Sequence, residues 1–239
     1  PWKPILRWYT RRLCATRFAG IYAHGLQNLA SLETDRPVLA IANHTNWWDG
    51  FMAGLLSERL PSRHPYCMME ERQLRHYRFL SHIGAFSVDL GSPARAAAAV
   101  RYAMRLLAEP PSLLWIFPQG NLESPYVPIR IRPGAAFLAR RNPGIQILPV
   151  VFRYAFFHED RPHALIGIGT PAASRADTTD QTILALLETT RETLDPLVVG
   201  RELPAFDLLL PPGLSLNKRW EWLRRAATGR LRDFTPHNG

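Results

Sequence analysis

The chain has 239 residues, of which 46% are hydrophobic, 10% aromatic and 21% charged, a globular composition that excludes disordered, collagen-like and low-complexity classes. Its 29 basic and 20 acidic residues leave a net charge of +9, which calls for an anionic partner. The excess is confined to the ends: residues 1–32 hold five basic residues and no acid, residues 212–239 hold six basic and two acidic ones, and residues 33–211 balance at 18 of each.

Residues 1–32 read as a basic N-terminal helical segment, with Ile5, Leu6, Tyr9 and Leu13 on one face, Trp8 at its margin and Arg12 interrupting the stripe. From 33 to 200, short apolar runs alternate with helical patterns, as in an α/β domain. Five or six strands are predicted, at Pro37–Ala42, Tyr66–Met69, Ala85–Val88, Leu113–Phe117, Gln146–Phe152 and Ala164–Gly169, with helices near 47–60, 72–82, 93–108, 133–141 and 178–194. Pro118–Pro133 reads as a long loop and Pro204–Pro212 as a connection. Residues 201–239 form a C-terminal segment in which Leu216, Trp220, Leu223, Ala227 and Leu231 make an apolar stripe flanked by Lys218, Arg224, Arg225 and Arg232. The expected architecture is a single α/β domain, a mostly parallel central sheet flanked by helices, with basic amphipathic terminal helices. Each end either packs on the body or lies on an anionic membrane surface, where Trp220 and Trp222 suit the water–lipid boundary.

Two cysteines, Cys14 and Cys67, are too few for a disulfide framework or a zinc site and fit a reducing compartment. No apolar run approaches the roughly 18 residues that cross a bilayer, and no signal peptide is recognisable. The chain starts at Pro1 without a methionine, which leaves room for a preceding segment. His64, His76, His82, His158 and His163 lack metal-ligand spacing, so no metal is expected.

The first predicted strand runs into Asn43-His44-Thr45-Asn46-Trp47-Trp48-Asp49, placing His44 at a strand's carboxyl end, where open α/β sheets keep ligand sites. Five residues on a continuous helix turn about 500°, which leaves two side chains roughly 140° apart. His44 must therefore precede the helix, with Thr45 or Asn46 as its cap and Asp49 folding back from the first turn. Such a carboxylate fixes the imidazole tautomer and leaves the other nitrogen to act as base. The next unusual strand end is Phe117-Pro118-Gln119-Gly120-Asn121, followed by the long loop and Arg132-Pro133-Gly134 opening a helix. Trp47 and Trp48 either pack under this site or line a tunnel leading to it.

These residues resemble the glycerolipid acyltransferases, the family of lysophosphatidate and glycerol-3-phosphate acyltransferases. Four blocks match in order between about residues 37 and 152: H-x4-D at His44 to Asp49, Gly84 to Leu90, Phe117 to Leu122 where the family usually reads F-P-E-G-T-R, and Leu148-Pro149-Val150. The resemblance implies acyl transfer from a thioester, acyl-CoA or acyl carrier protein, to an acceptor hydroxyl. It implies no bound cofactor, and a lipid acceptor as partner. His44 and Asp49 would be the catalytic dyad, Gly120 an oxyanion donor, and Gln119, Asn121 and Asn43 contacts to substrate. The chain departs from the family where arginines hold the acceptor's phosphate, having Leu90 and Leu122, and Gln119 replaces the usual acid. Losing two charge-assisted contacts, each worth about 1.5–3 kcal/mol, points to an acceptor without phosphate, such as a glycolipid or other hydroxylated lipid. Asp89, Arg130 and Arg132 are further acceptor-binding candidates, and the two arginines keep open a lysophospholipid acceptor. A lipid-binding protein without catalysis is a reading from another class. Nucleic acid is not an expected partner, because no nucleic-acid motif is present. The basic ends instead imply a peripheral position on the cytoplasmic face of a membrane.

Overall fold

Near-continuous apolar runs in the central strands build one sheet with two buried faces. The computed structural model describes residues 4–89 and 91–213, so the expected helix at 216–231 and the Leu90 position lie outside the described residues. The elements, in order, are α1 (Pro4–Arg17), β1 (Gly20–His24), α2 (Gln27–Ala30), β2 (Val38–Ala42), α3 (Asp49–Ser57), β3 (His64–Glu70), α4 (Glu71–His76), β4 (Ala85–Val88), α5 (Pro93–Leu107), β5 (Ser112–Ile116), α6 (Gly134–Arg141), β6 (Gln146–Ala155), β7 (His163–Ile168), β8 (Ala172–Ala173), α7 (Asp180–Val199) and β9 (Asp207–Leu210). The sheet order is β4-β3-β5-β2-β6-β7-β1-β9, with β8 beside β6. Strands β2 to β6 run parallel, β7 reverses against β6, β1 runs parallel to β7, and β9 reverses again.

Alternation divides the core. Val38, Ala40 and Ala42 of β2 face Met52 and Leu56 of α3 and Cys14 of α1. Leu39 and Ile41 face Ala103 and Leu107 of α5, the α6 alanines, and Ile183 and Leu187 of α7. Burying such side chains, each worth about 1.5–3 kcal/mol, fixes the register of β2 against both neighbours. Helix α7 begins with a reciprocal cap between Thr179 and Thr182.

All six expected strands are present within a residue or three of their predicted bounds, and the helices expected between residues 47 and 194 are found. The region near 72–82 is broken, however, into α4 and a tighter 3₁₀ turn at Arg78–Ile83. Gly84 closes that turn at φ +100°, and a Cβ there would lie 2.2 Å from the Pro65 carbonyl oxygen. Three strands were not anticipated. Gly20–His24 falls inside the supposed helical segment, β8 spans two residues, and β9 falls in the supposed connection Pro204–Pro212. The sheet therefore extends beyond residues 33–200 on both sides.

Helix α1 also differs from its helical-wheel reading. It buries Thr10 and Cys14, with Phe18 just beyond it in the core, and pairs Arg7 and Arg11 with Glu58 at the end of α3. Ile5, Trp8 (62%) and Tyr9 are left exposed. The two reversals determine where the ends go: β1 starts, and β9 finishes, at the sheet edge where β2 and β5 end. There the Arg161 guanidinium donates to the Ala15, Thr16 and Gly213 carbonyls, at 3.1, 3.2 and 2.9 Å.

Candidate active site

Because Ile41 of β2 pairs with Ile116 of β5, the two strands end level, and the residues that follow them meet. His44 Nδ1 lies 2.9 Å from Asp49 Oδ2. The same oxygen accepts the Thr45 and Asn46 N–H groups at 2.7 and 2.9 Å, and the Tyr154 hydroxyl donates to Oδ1 at 2.6 Å. Asp49 is 0% exposed, so these four partners replace its water. The fold-back expected of Asp49 is thus present, although no side chain caps α3: Trp48 occupies the cap position, the Asp49 carboxylate binds N–H groups of the turn that precedes the helix, and Asn46 Oδ1 accepts the Trp48 N–H at 3.2 Å. With Nδ1–H directed at a carboxylate, the imidazole holds the tautomer whose Nε2 is a base. The His44 side chain is 26% exposed, and its ring stacks on Phe117 at 4.5 Å between centroids.

The loop after β5 grips His44 by its backbone. The His44 N–H donates to Gln119 Oε1 at 2.5 Å, Gln119 Nε2 donates to Glu123 Oε2 at 2.8 Å, and the Glu123 N–H donates to the His44 carbonyl at 2.9 Å. Gln119 therefore positions a loop. Glu123, which the sequence reading did not single out, places a carboxylate four residues on from position 119, hydrogen-bonded to Gln119.

Two further expectations change. The Gly120 N–H, expected at an oxyanion, donates to the Phe117 carbonyl at 3.0 Å and closes a turn. What the position requires is φ +77° and no side chain, since a Cβ would lie 2.7 Å from Arg132 Nε. Asn43, expected at substrate, is 1% exposed, and both ends of its amide bond the Phe152 backbone, clamping β2 to β6.

Arg132 folds back over Gly120, and the Asn121 amide, oriented as its neighbours require, accepts from Arg132 Nη2 at 3.2 Å. Arg130 is exposed on the same loop. Asp89 stands after β4, three strand spacings from β2, or about 14 Å away. It is paired with Arg95 at 2.7 Å, which makes Arg95 a residue of that corner that the sequence reading missed. Beside the dyad an open groove of about 580 Å³ is lined by Tyr9, Leu13, Phe18, Trp47, Trp48 and Tyr154, with Arg17 also at its wall. Trp48 packs edge-on against Phe18, while Trp47 is exposed. Among the described residues, no three His, Cys, Asp or Glu side chains converge as a metal site. Nor is any helix there long and apolar enough to cross a membrane.

The strand order and the aligned strand ends define an α/β domain with a mostly parallel sheet. Residues 20–153 match the Acyltransferase family model, and the chain belongs to that family. Among solved structures it is similar to the crystal structure of the 1-acyl-sn-glycerophosphate (LPA) acyltransferase PlsC from Thermotoga maritima. The TM-score is 0.55 at 15% identity, covering 83% of this chain and 78% of that one. No curated protein sequence matches.

Proposed function

We propose that this acyltransferase moves a fatty acyl group from a thioester, acyl-CoA or acyl carrier protein, to a hydroxyl of a lipid acceptor, with His44 as general base and Asp49 as the group that orients it. The observation that carries this reading is the 2.9 Å contact from His44 Nδ1 to a carboxylate that is itself fully buried. His44 Nε2 takes the acceptor proton as the oxygen attacks the thioester carbonyl. The tetrahedral intermediate then expels the thiolate, which recovers the proton from the imidazolium. General-base assistance of this kind contributes about 10²- to 10⁴-fold. No nucleophile elbow of the G-x-S-x-G type is present, so direct transfer is preferred to an acyl-enzyme. The aromatic groove beside Asn46 suits an acyl chain.

Leu90 and Leu122 in place of arginines favour a glycolipid or other neutral hydroxylated acceptor. A second reading, a lysophospholipid acceptor, is favoured by Arg132, whose guanidinium lies against Gly120 and Asn121 and makes no ion pair among the described residues. The exposed Ile5, Trp8 and Tyr9 of α1, with Arg12 over Trp8, support a peripheral position on an anionic membrane at its cytoplasmic face. Gly213 lies beside the end of α1, its N–H donating to the Ala15 carbonyl at 2.7 Å, and residues 214–239 carry six basic and two acidic residues. Purified chain with labelled acyl-CoA and a panel of lysophospholipids, glycolipids and neutral hydroxylated lipids tests the acceptor; an unchanged transfer rate in His44→Ala would refute catalysis by the dyad, and no transfer by the parent chain to any acceptor would favour a lipid-binding protein. Flotation with anionic vesicles, expected to fall with added salt and with removal of residues 212–239, tests the membrane.

A further inference from the structure

Resting on the reading of His44 and Asp49 as an acid–base pair, we infer that Tyr154 is a positioning residue for that pair: its hydroxyl holds Asp49 Oδ1, so that Oδ2 serves His44. The two residues are 105 positions apart, Tyr154 late in β6 and Asp49 at the start of α3, and their contact is 2.6 Å. Only a hydroxyl reaches Oδ1, because the two backbone N–H groups and His44 all converge on Oδ2. The division has a chemical use. A carboxylate that stayed free to rotate would trade oxygens, and the imidazole would lose its partner when the proton arrives. A phenol donating to Oδ1 also draws charge away from Oδ2, so Asp49 steadies the imidazolium without binding it so tightly that the proton fails to move on to the leaving thiolate.

The phenol is a dependable donor here. Burial, reinforced by the Asp49 carboxylate, pushes Tyr154 well above its ordinary titration range, so it keeps its proton throughout the working pH. Other titratable groups are close: the buried Cys14 thiol, itself raised to about 12 by burial, Arg17 on the groove wall, and Glu123 held by Gln119. None of these bonds Oδ1. The tyrosine ring packs on Phe18, 5.9 Å between centroids, and lines the groove. A purely structural role would be satisfied by that ring alone.

Tyr154→Phe separates the two roles, because it keeps the ring and removes one oxygen. Loss of one hydrogen bond to a charged group is expected to lower kcat about tenfold, with KM for both substrates little changed. With more charge on Oδ2 the imidazolium persists to higher pH, so the acid limb of kcat/KM moves upward, and the NMR titration of the His44 ring moves the same way. The NMR measurement needs no turnover, so it tests the geometry even if His44→Ala shows that the dyad reading fails. Thermal unfolding close to that of the parent chain confirms that the fold is intact. An acid limb and a His44 titration that both stay in place overturn the inference, whether or not activity falls. Tyr154→Leu, which loses ring and hydroxyl together, should reproduce the upward titration; a titration unchanged from the parent chain in that variant overturns the inference as well.

Discussion

The turn after β2 and the loop after β5 meet at His44, yet they differ in how much of their polar surface is committed. Between Asn43 and Asp49 the Asn43 amide, the Asp49 carboxylate and the N–H groups of His44, Thr45 and Asn46 each have a partner inside the protein. Between Asn121 and Ile131 the chain exposes Leu122, Tyr126 (95%), Val127 and Arg130, and Ile129 is its buried anchor. Its ends are nevertheless pinned, since the Arg132 N–H donates to the Pro118 carbonyl at 2.8 Å. A turn with these groups committed holds one geometry, which suits the proton transfer proposed for it. The loop, held at its base, at Glu123 and at Ile129, presents its remaining side chains to solvent, which suits the acceptor selection proposed for it.

Substitutions can break this contrast. His44→Ala should lower the transfer rate about 10²- to 10⁴-fold while leaving the unfolding temperature close to the parent value; a loss below tenfold would refute the general-base role. Asp49→Asn replaces an acceptor of four donors by an amide that must turn its own N–H groups toward some of them. It should cost about 2–3 kcal/mol of stability, readable as a lower melting temperature, as well as activity about 10²-fold or more. Gln119→Glu sets a carboxylate against Glu123 and removes the donor that joins them. A rate loss of about tenfold is expected, together with a drop in unfolding temperature of about 3 °C. Arg132→Ala should raise KM about fivefold for a phosphate-bearing acceptor and leave a neutral one unaffected; steady-state kinetics on both classes decides which is used. Tyr126→Ala, at the tip, should change stability by less than about 0.5 kcal/mol, so any shift in acceptor preference there reports recognition alone.

The dyad was legible because it is local. An apolar strand, a histidine and an aspartate five residues on are adjacent in the chain, and the geometry of a helix start dictates the rest. The Tyr154 contact was not legible, since a single tyrosine in an apolar strand carries no mark of a partner 105 residues away. Asn43 misled for the opposite reason: a polar residue at a strand end looks like a ligand contact, but a sheet also needs side chains to close its edges, and the Phe152 backbone claimed this one. The strands β1 and β9 are short runs at one margin of the sheet, paired with each other and, for β1, with β7. Their β character depends on partners distant in sequence, so local pattern favoured helix for one segment and a connection for the other.

The pairing of β1 with β7 also bears on how the chain is made. Residues 20–24 have no native strand partner until residues 163–168 exist. At translation speeds of about 5–20 residues per second that wait is roughly 7–30 s. Throughout it, α1 has its α3 partners, Glu58 among them, but neither the β7-bearing half of its core nor the Arg161 clamp at its end.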